Sequence, residues 1–231
     1  FVSANIEDDQ ATIEAIVVTG HPFNQLVSVA KEKSADLLLL GTRGHGEDDR
    51  RIGAIASKCL RKAPFPVMVV QDLHGHSFQQ IVCCVDFSPT SKQAVKAAIH
   101  MAALEQASLD FVHVYASPNI YQDTNAPYIM TGYGDPNDFA QLMRQNLANF
   151  LSPFEDDMSG IQVTQSLIDR IGAGAGITDH VRDLNADLVI LGTRGRSGWN
   201  KLLLGTTAEH VIHRVACSTL TIKPDDFTYE P

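Results

Sequence analysis

Residues 192–207 read GTRGRSGWNKLLLGTT, with Gly192, Gly195 and Gly205 in the spacing G-x2-G-x9-G and Thr206 and Thr207 directly after the last glycine. The apolar run 188–191 leads into the first glycine, and a helix-compatible pattern over 206–216 follows the last. A strand, a glycine-rich loop and a helix start form a cradle for an anion. Glycine lets the backbone come close to a ligand. The bare N–H groups and positive dipole end of the helix favour negative charge. Threonine adds a hydroxyl that donates to the ligand or caps the helix.

The same phrase occurs 151 residues earlier: 35–44 reads ADLLLLGTRG and 186–195 reads ADLVILGTRG, with two apolar swaps in ten positions. After Gly44 the copies diverge. The first continues HGEDDRRI to Gly53-Ala54, so its spacer is one residue shorter and the hydroxyl after the final glycine is gone. Glu47, Asp48 and Asp49 stand where a phosphate would approach. The second copy therefore reads as competent and the first as degenerate.

The 231 residues carry a net charge of −9 and an apolar fraction of 44%, as in a globular protein of one or two domains. The negative field excludes general nucleic-acid binding, so a polyanionic ligand must be met locally, by Arg194 and Arg196 in the loop. No apolar run approaches the roughly 18 residues of a membrane span, and no signal-peptide pattern opens the sequence. Cys59, Cys83, Cys84 and Cys217 form no C-x-x-C pair and have no histidine at zinc-ligand spacing, so they read as reduced, buried thiols. With these features the expected location is cytoplasmic. The expected partners exclude nucleic acid and membrane.

Residues 78–224 read as one complete unit. The continuous apolar run 81–85 predicts a buried parallel strand, and 109–115, 161–168, 188–191 and 219–222 read as the strands that follow it. Segments with helical spacing follow the first strand from Ser88 or Thr90, run from an Asp138 cap to about residue 151, span 176–184, and follow Gly205. Residues 116–137, rich in proline, glycine and asparagine, predict a long loop. The resulting βαβαβαβαβ order predicts an α/β fold, an open, doubly wound, parallel five-stranded sheet of Rossmann-like type. Residues 1–73 repeat only the last part of this plan. Here 12–18 match the third strand, 24–33 the third helix, 37–40 the fourth strand, 54–61 the fourth helix and 67–70 the last strand. The chain thus reads as a tandem repeat whose first copy is incomplete, a fragment or truncation, with 71–78 as linker. The two last strands are expected to meet antiparallel, which would bury both edges. This makes the two copies a pseudo-dimer, and a homodimer of whole chains is a further expectation.

Together with Val85-Asp86-Phe87-Ser88 after the first strand, His113-Val114 at the end of the second and Glu209 beyond Gly205, the glycine loop makes residues 78–224 resemble the universal stress protein family. Residues 11–71 resemble the back half of a second such domain. The resemblance implies an adenine-nucleotide α-hydrolase-like fold, with ATP or ADP held at the carboxyl ends of the strands and Mg2+ as an accompanying ion. It implies that Cys84, Val85 and Asp86 face the adenosine, with the Asp86 carboxylate accepting from ribose or base. It places Val114 in the adenine slot and Leu191, Gly192, Arg194 and Gly195 near the ribose and phosphates. Gly205, Thr206 and Thr207 would bind phosphates. Cys84 departs from the small residue or proline often seen there.

Ile171 to Ile177 reads IGAGAGI after a strand, but Ile177 occupies the third glycine position of a dinucleotide fingerprint, and Asp187 lies too near to be its ribose acid. The segment reads as a flexible turn into a helix, with Asp169 and Arg170 pairing with each other or with solvent. Trp199 and the apolar 202–204 suggest packing within the body or on a partner. The scattered histidines, His180 and His210 among them, read as solvated or packing residues. No nucleophile–base pair, metal cluster or Walker lysine is evident, and the S-G-G-x-D-S loop of adenylating relatives is absent. The expected function is nucleotide-dependent regulation of a stress response, with at most a weak ATPase activity. The alternative is a non-nucleotide scaffold of the same fold with unidentified protein partners.

Overall fold

The computed structural model describes residues 12–42, 52–71, 77–117, 136–195 and 204–227. The first repeat contributes α1 (Pro22–Glu32), β1 (Leu38–Gly41), α2 (Ala54–Lys62) and β2 (Val67–Val70). The second contributes β3 (Gln80–Cys84), α3 (Pro89–Glu105), β4 (Ser108–Tyr115), α4 (Pro136–Leu151), β5 (Val163–Asp169), α5 (Ala173–Asp183), β6 (Leu188–Gly192), α6 (Thr206–Arg214) and β7 (Ser218–Ile222). All seven strands join one sheet in the order β1-β2-β7-β6-β3-β4-β5. The strands of the second repeat are parallel, as expected, and the order reverses between β3 and β6.

Alternation along the strands divides the core between the two faces of the sheet. Ile81, Cys83, Leu109, Phe111, Leu188 and Ile190 pack against α3 and α4. Val82, Val112, Val189 and Leu191 pack against α5 and α6. Cys83 and Cys84 accordingly turn to opposite faces. All four cysteines are free thiols.

The repeats join where β2 runs antiparallel to β7, pairing Val67 with Thr221 and Val69 with Thr219. This is the expected meeting of the last strands. Thr221 Oγ1 donates to the Val67 carbonyl at 3.3 Å, and Ile212 of α6 enters the first repeat's core beside Phe23, Leu60 and Val69. Lys223, just past β7, is 6% exposed, and its Nζ donates to the Leu60 carbonyl. That carbonyl lies in the last turn of α2, where Pro64 has no N–H to offer it.

Burial pushes the Lys223 amine down from the ordinary 10.5 to about 7. Between these values the unfolded chain binds more protons than the native one, so stability should rise with pH. Below about 7 the cost of burial is fully present. The expected contribution is at most about 1.4 kcal/mol per pH unit. Urea unfolding at pH 7.0 and 8.5, a window below the ordinary thiol value of 9.0, measures it. The Lys223→Met variant should show a flatter slope, and equal slopes would refute this assignment.

The third strand expected over 12–18 does not form. Residues 12–19 are irregular, with Val17 94% and Ile13 49% exposed. Its counterpart β5 pairs only with β4, and the described residues of the first repeat hold no counterpart of β4. Without a ladder partner the backbone N–H and C=O groups of this segment have no strand to bond to. For the same reason β1 is an edge strand. Leu39 is 59% exposed, whereas its repeat counterpart Ile190 is fully buried.

The third helix of the second repeat begins at Ala173, so most of IGAGAGI is helical and not a flexible turn. Only Gly172, the N-cap at φ 88°, uses glycine's torsional freedom. Gly174 and Gly176 serve close packing: a Cβ on Gly174 would lie 2.7 Å from His210 Cβ, and one on Gly176 3.0 Å from Val114 Cγ1. Helix α4 starts at Pro136, which puts Asp138 inside its first turn and not at the cap. Asp169 accepts from the Ser117 N–H at 2.8 Å and Arg170 pairs with Asp179, so these neighbours do not bond to each other. Arg196, Trp199, Leu202 and Leu203 lie outside the described residues, as do Glu47 to Asp49 and most of the 116–137 loop.

Candidate functional site

A cavity of about 290 Å³ opens at the carboxyl ends of β3, β4 and β6, where the strand order reverses. The described site residues expected from the sequence line it: Cys84, Val85, Asp86, Val114, Leu191, Gly192, Arg194, Gly195, Gly205, Thr206 and Thr207. Cys84 ends β3 and Val85 and Asp86 follow it, Val114 is on β4, Leu191 and Gly192 end β6, Arg194, Gly195 and Gly205 lie between β6 and α6, and Thr206 and Thr207 open α6.

The turn after β3 is held from several sides. Asp86 Oδ1 accepts from the Ser88 N–H at 3.0 Å, and Phe87 takes the left-handed conformation at φ 64°. That torsion is uncommon for an aromatic residue and marks a constrained backbone. Ser88 caps α3 by accepting from the Ser91 N–H at 3.1 Å, and its hydroxyl donates to the Arg194 carbonyl at 3.4 Å. This last bond ties the aspartate turn to the glycine loop. His113 Nδ1 lies 2.8 Å from the Val85 carbonyl. Because a carbonyl only accepts, this nitrogen carries the proton. The His113 ring also packs on Phe87, centroid to centroid 4.3 Å.

The glycine loop is fixed at its two ends. Thr193 donates to the Ile222 carbonyl through N–H (2.9 Å) and Oγ1 (3.2 Å), and the Gly205 N–H donates to the Thr193 carbonyl at 2.9 Å. The Gly205 amide is thereby committed to the loop. The donors left at the helix start are the N–H groups of Thr206, Thr207 and Ala208, which have no preceding helical carbonyl. Gly205 is the N-cap, and α6 has no side-chain cap bond. A serine or aspartate there would satisfy one of these donors itself; glycine supplies no such acceptor. At the other end a Cβ on Gly195 would lie 2.8 Å from Asp86 Oδ2, so the aspartate and the loop nearly touch.

The first repeat keeps part of this backbone frame. Thr42 N–H donates to the Val70 carbonyl at 3.1 Å, and Gly53 N–H to the Thr42 carbonyl at 2.9 Å. What β1 lacks, among the described residues, is a neighbour in the place β3 takes beside β6.

Several wall residues were not singled out in the sequence. Ser91, Val112, Ala173, Ile177, Thr193 and Ala208 also line the cavity. Ile177 is the residue that spoils the dinucleotide pattern, and here it forms apolar wall with Val112 and Val114. Asp187, considered and rejected as a ribose acid, instead accepts from the Gln79 and Gln80 N–H groups at the start of β3.

Beneath the wall lies a buried polar clamp. Asp110, 1% exposed on β4, accepts from Thr164 Oγ1 (2.5 Å), Ser166 Oγ (2.9 Å) and His180 Nε2 (2.8 Å). Asp110, Val112 and Val114 alternate onto one face of the strand. The His180 contact therefore sets the seat of α5, which carries Ala173 and Ile177 into the cavity. His180 is thus a packing residue with a specific polar partner. Burial, with Cys217 and Asp86 nearby, pushes the Cys84 thiol far up, which disfavours its thiolate, and Cys217 is likewise pushed up to about 12.

Among the described residues no group of three or more histidine, cysteine or carboxylate side chains could hold a metal ion, and no helix is long and apolar enough to cross a membrane.

The universal stress protein family model matches residues 3–71 and 77–223. The universal stress protein E homolog of Haemophilus influenzae is 30% identical over 173 residues, covering 71% of this chain and 54% of that protein. Universal stress protein E of Photorhabdus laumondii is 23% identical over 227 residues, covering 92% of this chain and 69% of that protein. The chain thus spans 54% to 69% of the length of these two relatives. Among solved structures, a universal stress protein from Archaeoglobus fulgidus superposes with a TM-score of 0.59 at 19% identity, covering 87% of this chain and 66% of that one. A functionally unknown protein from Pseudomonas aeruginosa reaches 0.64 at 19% identity, covering 91% and 70%. At this identity the structural likeness is one of fold.

Proposed function

The chain belongs to the universal stress protein family, and from that premise we propose that its cavity binds an adenine nucleotide, ATP or ADP, whose occupancy regulates the protein in a stress response. The observation that carries this reading is that the start of α6, with no side-chain cap, and Asp86 line one cavity. Amide donors and threonine hydroxyls at one end suit phosphate oxygens. A carboxylate at the other suits ribose hydroxyls or a base amine. Between them Val112, Val114, Ile177 and Leu191 offer an apolar slot for the adenine ring. The volume of about 290 Å³ is near the lower bound of about 300 Å³ for small-molecule sites.

Mg2+ in this scheme arrives with the phosphates and keeps most of its waters, needing no protein cage. The groups near the helix start are amides and hydroxyls. They bind a phosphate without activating water, so any hydrolysis is slow.

Equilibrium dialysis against ATP and ADP with Mg2+ tests the proposal. One nucleotide per chain should be retained at sub-millimolar concentration. The Gly205→Asp variant, which puts a carboxylate at the phosphate end, should bind at least about tenfold more weakly, a loss of about 1.4 kcal/mol. No retention at millimolar nucleotide would instead favour an interaction protein of the same fold.

A further inference from the structure

After β7 the chain folds back over the site. Asp225 Oδ1 accepts from Gln93 Nε2 of α3 at 2.5 Å, and Asp226 Oδ1 accepts from Arg194 Nη1 at 2.7 Å. Phe227 is 8% exposed and lies under Lys223 Nζ, 5.2 Å from its ring centroid. The same Lys223 Nζ donates to the Leu60 carbonyl in the first repeat. Residues 223–227 thus form a strap that touches α3, the glycine loop and the junction of the two repeats.

Arg194 is the link between strap and cavity. It lines the cavity, its side chain is 19% exposed, and Nη1 is engaged by Asp226. Its Nη2 is buried without a hydrogen-bond partner among the described residues. A buried, unsatisfied donor on a charged group is costly. A phosphate accepts from both guanidinium nitrogens at once in a planar fork, which a single oxygen of Asp226 does not.

We propose that the strap 223–227 is a phosphate-responsive latch: a nucleotide phosphate takes Arg194 from Asp226, freeing the strap from the glycine loop. This rests on the adenine-nucleotide reading of the cavity and adds how occupancy is transmitted. Because Lys223 and Phe227 share the strap with Asp226, release at Arg194 loosens the contact with Leu60, at the seam between the repeats. The event in the cavity is thereby passed to the sheet junction by one short segment. Asp226 acts as a competitor of the ligand and not as part of its binding shell.

Hydrogen exchange of the 223–227 amides, with and without ligand, together with the Asp226→Asn variant, tests this. ATP with Mg2+ should speed exchange of these amides, including the Phe227 N–H that donates to the Pro224 carbonyl at 2.9 Å. Adenosine, which has no phosphate, should leave them unchanged. Asp226→Asn should raise the basal exchange and tighten ATP binding about two- to fivefold, the range of an exposed ion pair. Asp226 is 54% exposed, so the variant should fold. ATP that binds with strap exchange unchanged, or more weakly to Asp226→Asn than to the native chain, overturns the latch while leaving the cavity reading intact. A native chain that binds no nucleotide overturns both.

Discussion

Asp110→Ala is expected to destabilise the fold by about 1–3 kcal/mol, the usual cost of leaving hydrogen-bonding groups without their partner. The carboxylate is 1% exposed and accepts from Thr164, Ser166 and His180. Burial alone would raise its pKa, but the hydrogen bonds from His180, Thr164 and Ser166 outweigh that and hold it below the ordinary 3.8. Alanine would leave these donors without their shared acceptor and open a gap between β4, β5 and α5. Asp110→Asn retains an acceptor oxygen and should cost less. The group's folded pKa is depressed, so its stabilising contribution is present above the unfolded value. It is lost only as pH falls from there through the folded value, in the acid range. Urea unfolding at pH 7 measures the loss, and a change under about 1 kcal/mol would mean that the clamp does not hold α5. Because α5 supplies Ala173 and Ile177 to the cavity, any Asp110→Ala protein that remains folded should also bind nucleotide more weakly.

Gly195→Val is expected to reduce nucleotide affinity at least about tenfold, or about 1.4 kcal/mol, with little change in stability. The requirement at this glycine is space. Its Cβ would stand 2.8 Å from Asp86 Oδ2, and Asp86 cannot yield freely, because its other oxygen is held by the Ser88 N–H at 3.0 Å. A larger side chain must push the carboxylate off that turn or lift the loop from the ligand. Calorimetric titration with ATP, alongside thermal unfolding, separates the two effects. Native affinity in a folded Gly195→Val protein would mean that the closeness of Asp86 and the loop has no bearing on binding.

The parts legible in the sequence were those written in local pattern. The apolar runs of β3 and β6, and the β-branched and aromatic residues of β4 and β7, marked these strands to within a residue or two, because strands buried on both faces carry mostly apolar or β-branched residues. The spacing of Gly192, Gly195 and Gly205 located the loop, and the repeated decapeptide foretold two related halves. Where the reading failed, the deciding partner was distant. Residues 12–18 match the third strand of the repeat, yet strand formation depends on a neighbour that the described residues do not supply. IGAGAGI looks like a turn until His210 and Val114 are seen pressed against its glycines. Asp110 and His180 lie 70 residues apart, and neither has a sequence signature. The meeting of Arg194 with Asp226 likewise depends on where the chain goes after β7. Local chemistry thus predicted the cradle, whereas the scaffold that holds its walls could be read only from the fold.

The most direct test is a crystal of the chain grown with ATP and Mg2+. The account predicts phosphate oxygens about 2.7–3.2 Å from the N–H groups of Thr206, Thr207 and Ala208, with adenine between Val114 and Ile177 and Asp86 within reach of the ribose or base. Nucleotide bound elsewhere on the molecule, or a cavity closed by its own side chains in the presence of saturating ATP, would contradict it.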